Sequence, residues 1–550
     1  MERIFIAVAW PYANGPLHLG HIAGAYLAAD IFARYHRLKG NEVLMVSGSD
    51  MHGTPITVRA EREGKTPAEV AQTYHQEFLD CFKKLGISFD LYTSTETPNH
   101  YEVVKDIFLN LYHKGYIYPA TVPLPYCPTC HRFLPDRYVE GTCPHCQFDG
   151  ARGDQCEKCG HTLSPWELKH PHCILCKTTP EEKLSEHFFL RLSSFQDELS
   201  KWVGGQDHWR PNVRHFTLGI IEGRLQDRAI TRDIGWGVPV PVPGFEGKRI
   251  YVWFEAVIGY LSASKEWAAS RSRRWEDFWQ GEVKSYYFVG KDNIPFHTII
   301  WPAILKGYGG LNLPYDVPAN EYLTLEGKQL STSRNWAVWV PDFLARYSPD
   351  QLRYALATDM PQTHDTNFSW HRFLRLNNDE LVGIYGNLAH RVLSLIHRKL
   401  SGVVPAPSAM DEESIRLIDK AKDTLKVVDR DLYHCRFREG IRQAMLLAGE
   451  ANRYLERESP WKNEAKLPTS MHTSLFVLSI LAVALLPFMP SSSERLHHLL
   501  GGEGKPERWE VIPPRVGATL PPPQALFTKL EEGIVDEEKG RLNSVYTIHL

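Results

Sequence analysis

Ile4-Phe5-Ile6-Ala7-Val8-Ala9-Trp10-Pro11-Tyr12-Ala13-Asn14-Gly15-Pro16-Leu17-His18-Leu19-Gly20-His21 decides the fold. Ile4–Val8 is a short apolar strand, Asn14-Gly15-Pro16 is a turn, and a helical pattern runs from His18 to Leu38. Glu42–Ser47 reads as a strand again. This is the rhythm of a parallel sheet with helices on its faces. Glycine-rich phosphate loops are absent: neither Gly-x-x-x-x-Gly-Lys-Ser/Thr nor a clean Gly-x-Gly-x-x-Gly occurs. Instead two imidazoles, His18 and His21, stand one turn apart at a helix start, where anions are attracted. Gly20 between them leaves the backbone open to a ligand. A lone His-x-x-His is more often a pair of surface histidines. Directly after a strand and a turn, at the carboxyl end of a parallel sheet, it occupies the place where such folds bind ligands.

Outward from this segment the strand–helix alternation continues to about Gly86 and resumes at Arg249–Phe254 and Ser285–Val289, both read as strands. Between about Gly115 and Gly223, Cys, Pro and Gly crowd in. After about Asp365 strands are expected to vanish, and helical patterns take over at Leu374–Lys399 and Ile415–Leu455. Beyond Gly501 a Pro-rich tail (Pro521–Pro523) is expected to wrap the surface. The outline is α/β: a split Rossmann-like parallel-sheet domain with a Cys-rich zinc insertion and a C-terminal helical bundle. The expected divisions are 1–114 and 226–322 for the two sheet halves, 115–225 for the insertion, 323–365 for a loop-bearing connector, 366–500 for the bundle and 501–550 for the tail.

A chain of 550 residues is too long for one core, and 43% hydrophobic with 23% charged residues is ordinary for a globular protein. A net charge of −3 neither demands nor excludes nucleic acid, because phosphate binding needs a local basic face. No signal peptide is read at Met1–Trp10, and the most apolar stretch, Leu475–Leu486, is shorter than a membrane span and reads as a buried helix. Eight of ten cysteines form four Cys-x-x-Cys pairs: Cys127/Cys130, Cys143/Cys146, Cys156/Cys159 and Cys173/Cys176. Two such pairs make a closed, structural tetrahedral zinc site, so one or two Zn2+ ions in a reducing compartment are expected; the spacing leaves sequential and nested pairing open.

His18-Leu19-Gly20-His21 resembles the HIGH motif of class I aminoacyl-tRNA synthetases, and Gly327-Lys328-Gln329-Leu330-Ser331-Thr332-Ser333-Arg334-Asn335 resembles their KMSKS loop. Aligned on the serines, Gln329 and Thr332 take the two lysine positions, with Lys328 one place early. Lys328 or Arg334 is left to supply the missing charge. The resemblance implies catalytic roles for His18, His21, Lys328, Ser331 and Ser333. It implies ATP contacts from Gly20, Gly290, Lys291, Asp292 and Thr332 with the same histidines and Lys328, with Mg2+ accompanying ATP.

Within that class the chain is similar to the methionyl enzymes over nearly its whole length. Pro11–Gly15, Ser49–Pro55, Tyr251–Tyr260 and Val289–His297 match in order. The implied methionine pocket is Ala9, Trp10, Tyr12, Asp50, Trp253, Ala256, Val257, Tyr260, Phe296 and His297. Aromatic rings suit a thioether, and Asp50 suits an α-ammonium. Trp10, Glu255 and Val257 depart from residues often seen there. Apolar pockets discriminate by only about 1–3 kcal/mol per methylene, and synthetases for branched residues carry a long editing insertion that this chain lacks room for. Family members with one zinc keep the inner four cysteines, which implies nesting: Cys143, Cys146, Cys156 and Cys159 on one ion, Cys127, Cys130, Cys173 and Cys176 on the other. Asn387, Arg391 and Trp461 match anticodon-reading positions. The expected partners are tRNA(Met), ATP and L-methionine, in a cytoplasmic monomer without membrane contact. Rival readings are another enzyme of the same fold, which leaves the Trp253 and Trp461 segments unexplained, and a tRNA-binding protein without catalysis, favoured only by Gln329 and Thr332.

Overall fold

Five parallel strands form the central sheet: Arg3–Val8, Glu42–Ser49, Leu91–Ser94, Val283–Gly290 and Ala319–Asn320. In a computed structural model of the chain, which describes residues 1–135, 138–153, 156, 158–159, 163–332, 335–510 and 515–543, their spatial order is 3-2-1-4-5. All four pairings are parallel, for example Ile4 beside Lys284 and Val43. The order reverses between the first and fourth strands, so the crevice at their carboxyl ends is the ligand-binding switch point of an open α/β sheet. Both segments leaving that crevice are helical and both contain a π turn, Ile22–Tyr26 and Phe296–Ile300. Such bulges re-aim side chains at functional sites.

The insertion stands on an antiparallel ribbon, Ile117–Cys127 against Glu181–Leu190, whose register runs from Ile117 opposite Leu190 to Tyr126 opposite Glu181. Its tip folds back onto the helix Thr54–Glu63. The Tyr138 hydroxyl donates to Thr57 Oγ1 at 2.9 Å, and Arg132 donates to both oxygens of Glu61 at 2.9 and 3.2 Å. The bundle comprises Trp370–Leu400, broken by a π stretch, then Glu412–Tyr433, Phe437–Glu458, Leu467–Ala484 and Pro490–Leu499. One core runs from the helix Leu27–Leu38 into this bundle. Arg353 pins the junction: it is fully buried, meets buried Asp30 at 2.7 Å, and donates to the carbonyls of Phe488 and Pro487. The tail returns across it, with Trp509 N–H donating to Leu38 O and Glu538 of the helix Ile534–Asn543 accepting two bonds from Arg346.

Three expectations are corrected. Arg249–Phe254 is a strand only at Arg249–Ile250; from Val252 the chain is a helix to Arg271. A strand, Thr366–Phe368, follows Asp365 and pairs with Leu323–Leu325. Ile415–Leu455 is two helices, broken where Cys435 takes φ +54°. The helix Leu467–Ala484 is long and apolar enough to cross a membrane, yet 89% of it is buried inside the protein, packed against the helices Glu412–Tyr433 and Phe437–Glu458. Burial, and not lipid, accounts for its composition.

Candidate active site

A cleft of about 1200 Å³ opens at the switch point. His18 and His21 form its helix start. His21 Nδ1 accepts the His18 N–H at 3.0 Å, His18 Nδ1 accepts the Gly20 N–H at 3.1 Å, and the rings stack 3.8 Å apart. A ring nitrogen that accepts a backbone N–H carries no proton, so both imidazoles hold theirs on Nε2. Burial pushes His21 down to about 4, and burial with the neighbouring His21 pushes His18 well below its usual value. Both are therefore neutral Nε2–H donors at pH 7. A Cβ on Gly20 would meet Leu330 at 2.7 Å and the His18 ring at 2.9 Å, so glycine there lets Leu330 lie close against the histidine pair.

Gly20, Gly290, Asp292 and Thr332 line this cleft with the two histidines. Gln329, Leu330 and Ser331 line it as well, and Ser331 closes the loop through two backbone bonds to Trp336. Lys328 does not reach it: its Nζ lies 4.8 Å above the Trp336 ring. Lys291 turns to Glu321 at 2.9 Å and Asp365 at 3.1 Å, and Asp292 Oδ1 accepts the Tyr322 hydroxyl. Ser333 and Arg334 lie outside the described residues.

Beside the cleft is an aromatic box. Trp253 stacks on Phe296 at 4.2 Å, Tyr12 meets Trp253 edge-on at 6.0 Å, and Trp10 meets Tyr260 edge-on at 6.4 Å. Trp10 is seated in a slot between Gly48 and Gly259, where an added Cβ would approach its ring to 2.6 and 2.8 Å. Those two glycines accommodate the indole. The Tyr260 hydroxyl donates to His297 Nε2 at 2.7 Å, while His297 Nδ1–H donates to Asn293 O at 2.8 Å. Burial pushes His297 down to about 4, so it accepts from the tyrosine as a neutral ring. Ala9 and Ala256 are half-buried, and Val257 packs into the core behind them.

Asp50 is 4% exposed, and among the described residues its carboxylate accepts a long bond from His52 N–H at 3.3 Å. Burial, helped by nearby Glu255, raises its pKa well above the usual carboxylate range. A buried acid so poorly partnered is completed by a cationic ligand. The sequence did not mark what lies behind it. His52 is clamped between Glu255 Oε1 at 2.7 Å and Glu96 Oε2 at 2.6 Å, and Tyr101 donates to Glu96 at 2.7 Å. Burial alone would lower the pKa of His52; Glu255 and then Glu96 outweigh it and push it up to about 10.

The insertion gathers its cysteines into two groups: Cys127, Cys130, Cys173 and Cys176, and Cys143, Cys146, Cys156 and Cys159. This is the nested pairing. Sulfur separations of 3.3, 3.9, 3.8 and 3.5 Å bracket the about 3.8 Å edge of a tetrahedron with zinc–sulfur bonds of about 2.3 Å. The residues after three of the pairs, His131, Gln147 and Lys177, take positive φ and turn the sulfurs inward. Both groups could hold a metal ion. In the bundle, Asn387 reaches Asn452 at 3.5 Å, and Arg391 pairs with Glu456 at 2.8 Å while lying 5.1 Å over the ring of Trp461, which is 37% exposed. The three residues share one open face.

Nucleotide binding at a Rossmann switch point through paired imidazoles, with a serine-bearing loop laid on the pair, is the design of the class I tRNA synthetases. Comparison narrows the class. Residues 4–393 match the family described as tRNA synthetases class I (M), and residues 404–546 match the anticodon binding domain of methionyl tRNA ligase. The chain belongs to the methionine–tRNA ligase family. It is 59% identical over 549 residues to the methionine–tRNA ligase of Dehalococcoides mccartyi (strain CBDB1), covering 98% of this chain and 99% of that one. It is 49% identical to the methionine–tRNA ligase of Thermomicrobium roseum, covering 98% and 99%. Among solved structures, Mycobacterium tuberculosis methionyl-tRNA synthetase bound by methionyl-adenylate matches with a TM-score of 0.81 at 26% identity, over 96% of this chain and 100% of that one. The apo form of that enzyme matches with a TM-score of 0.73 at 25% identity, over 96% and 99%.

Proposed function

We propose that the chain activates L-methionine with ATP to methionyl-adenylate and transfers the methionyl group to the 3′ end of tRNA(Met). The observation that carries this reading is the juxtaposition of two neutral Nε2–H donors with a sulfur-compatible aromatic box holding a poorly partnered buried Asp50. A methionine carboxylate oxygen bonds to the α-phosphorus of ATP, the bond from that phosphorus to the bridging oxygen breaks, and pyrophosphate leaves with the electron pair. His18 and His21 donate to phosphate oxygens, and being neutral they do so without a proton transfer. Asp50 accepts the α-ammonium, Trp10, Tyr12, Trp253 and Phe296 surround the thioether, and Tyr260 with His297 fixes the far wall, so the reactants meet in line. Ala9, Ala256 and Val257 shape the floor. Ser331, Thr332 and Ser333 act on the phosphates from the loop, and Lys328 joins them once its ammonium leaves Trp336, with Gly20, Gly290, Lys291 and Asp292 around the nucleotide and Mg2+ as its counter-ion.

Residues 1–114 and 226–322 are the catalytic halves, 115–225 the insertion, 323–365 the loop and stem-contact region, 366–500 the anticodon domain and 501–550 the tail. Each cysteine group holds one Zn2+, which fixes the tip of the insertion; among the described residues the small core there buries only Leu134, Tyr138, Val139, Ala151, Leu163 and Leu168 besides its cysteines and needs that fixation. Asn387, Arg391 and Trp461 read the anticodon. The enzyme works as a cytoplasmic monomer. Charging of a tRNA(Met) transcript with labelled methionine is the test. Charging that disappears when the anticodon is replaced supports the reading, and failure to charge the intact transcript in zinc-loaded protein overturns it.

A further inference from the structure

Triphosphate chemistry needs cations where the pyrophosphate departs, and the loop over the cleft offers none among its described residues that line it. Gln329, Leu330, Ser331 and Thr332 are uncharged, Lys328 faces Trp336, and Lys291 is neutralised by two carboxylates. The opposite wall is different. The helix Thr54–Glu63 presents Arg59 and Arg62, one turn apart, to the same cleft. A Cβ built on Gly15 would lie 3.5 Å from Arg59 Nη1 and 3.6 Å from Thr332 Cγ2, so the guanidinium and the loop threonine are neighbours across the turn that leads to His18. Arg59 is held rigidly. Its Nε donates to Glu63 at 2.5 Å, its Nη1 donates to Asn14 O at 2.5 Å, and its plane lies 4.6 Å over the Tyr74 ring. These contacts engage Nε and Nη1 and leave the two N–H bonds of Nη2 for a ligand.

We infer that Arg59, backed by Arg62, is the catalytic cation that binds the β- and γ-phosphates of ATP and the departing pyrophosphate, from the helix wall beside the position that Thr332 occupies in the loop. The inference rests on the ATP-dependent reading above. A guanidinium brings a full positive charge and the two N–H donors of Nη2 to the phosphate oxygens, which a threonine hydroxyl cannot do. Glu63 is shared between Arg59 and Lys65, which contacts its other oxygen at 3.1 Å, so this one carboxylate offsets the two cations only in part.

The test is methionine-dependent pyrophosphate exchange by the full zinc-loaded chain as wild type, Arg59→Gln, Arg59→Lys, Thr332→Lys and the Arg59→Gln/Thr332→Lys pair. Methionine binding is read separately by tryptophan fluorescence. Arg59→Gln is expected to raise KM for ATP and for pyrophosphate by about tenfold or more, with methionine affinity within about twofold of wild type. Adding Thr332→Lys, which returns a cation to the neighbouring position, is expected to recover most of that loss, and Arg59→Lys to fall between. ATP and pyrophosphate parameters of Arg59→Gln within about twofold of wild type would overturn the inference, as would an equal loss of methionine affinity or no rescue by Thr332→Lys. If Arg59→Gln does not fold, as judged by zinc content and thermal melt, Arg59→Lys decides: unchanged KM for ATP and no gain from Thr332→Lys would overturn it. No exchange by wild type with any amino acid would instead sink the functional reading itself.

Discussion

Replacing His52 with glutamine should cost more stability than any other single change near the pocket. His52 is buried between Glu255, which is 0% exposed, and Glu96. Raising an imidazolium from 6.5 to about 10 corresponds to about 4–5 kcal/mol of stabilisation at neutral pH and below. Breaking a buried ion pair by removing one partner costs about 3–5 kcal/mol, the same order. Glutamine keeps a hydrogen bond to one carboxylate but leaves Glu255, whose Oε2 already lacks a partner, as an uncompensated buried charge. The folded pKa lies above the unfolded one, so this stability is fully present below about pH 6.5 and is lost as pH rises towards 10. The assay is urea unfolding at pH 6.5 and 9.5, followed by tryptophan fluorescence; Trp236, 5.4 Å from His52 and bonded to Met51 O, is a local reporter. Wild type should lose about 3–4 kcal/mol between the two pH values. His52→Gln should sit about 3–5 kcal/mol lower at pH 6.5 and show little of that pH slope. A variant within about 1 kcal/mol of wild type at pH 6.5, or one with the wild-type slope, would refute the reasoning.

Elemental analysis should find two zinc ions per chain, and Cys143→Ser should remove one while leaving the ion on Cys127, Cys130, Cys173 and Cys176; an unchanged zinc count would contradict the pairing. Trp461→Ala should raise KM for tRNA(Met) by about tenfold, a loss within the about 1–3 kcal/mol of one base–aromatic stack, and leave pyrophosphate exchange untouched. A parallel fall in exchange would mean that Trp461 supports the fold instead.

The opening strand, turn and helix were legible because each obeys a local rule: an apolar run, Asn-Gly-Pro, then a 3.6-residue pattern. The cysteine groups were legible for the same reason, since spacing restricts their geometry, although nesting came from the family and not from the spacing. Arg249–Phe254 misled because its aromatic and β-branched residues favour a strand, while in place the helix Val252–Arg271 is packed on nearly every side and shows no polar stripe. Ile415–Leu455 read as one pattern because both helices repeat the same spacing and the break at Cys435 contains neither Gly nor Pro. The rest is tertiary. His52 meets a glutamate 203 positions away, Arg353 meets Asp30, and Arg59 and Thr332 flank Gly15 only because the fold brings their segments together. No window of sequence contains such pairs. Lys328 shows the converse: the resemblance of its loop proposes it for the phosphates, and in this structure its ammonium lies over Trp336.

The central claim is methionine activation at the His18/His21 cleft, and exchange of labelled pyrophosphate into ATP tests it most directly, run with methionine beside leucine, isoleucine and cysteine and with His21→Ala as the control. Exchange is expected with methionine alone, reduced by at least about a hundredfold in the control, as for removal of a donor to developing charge. Exchange with another of these amino acids at the same rate, undiminished exchange in His21→Ala, or no exchange from folded, zinc-loaded protein would contradict it.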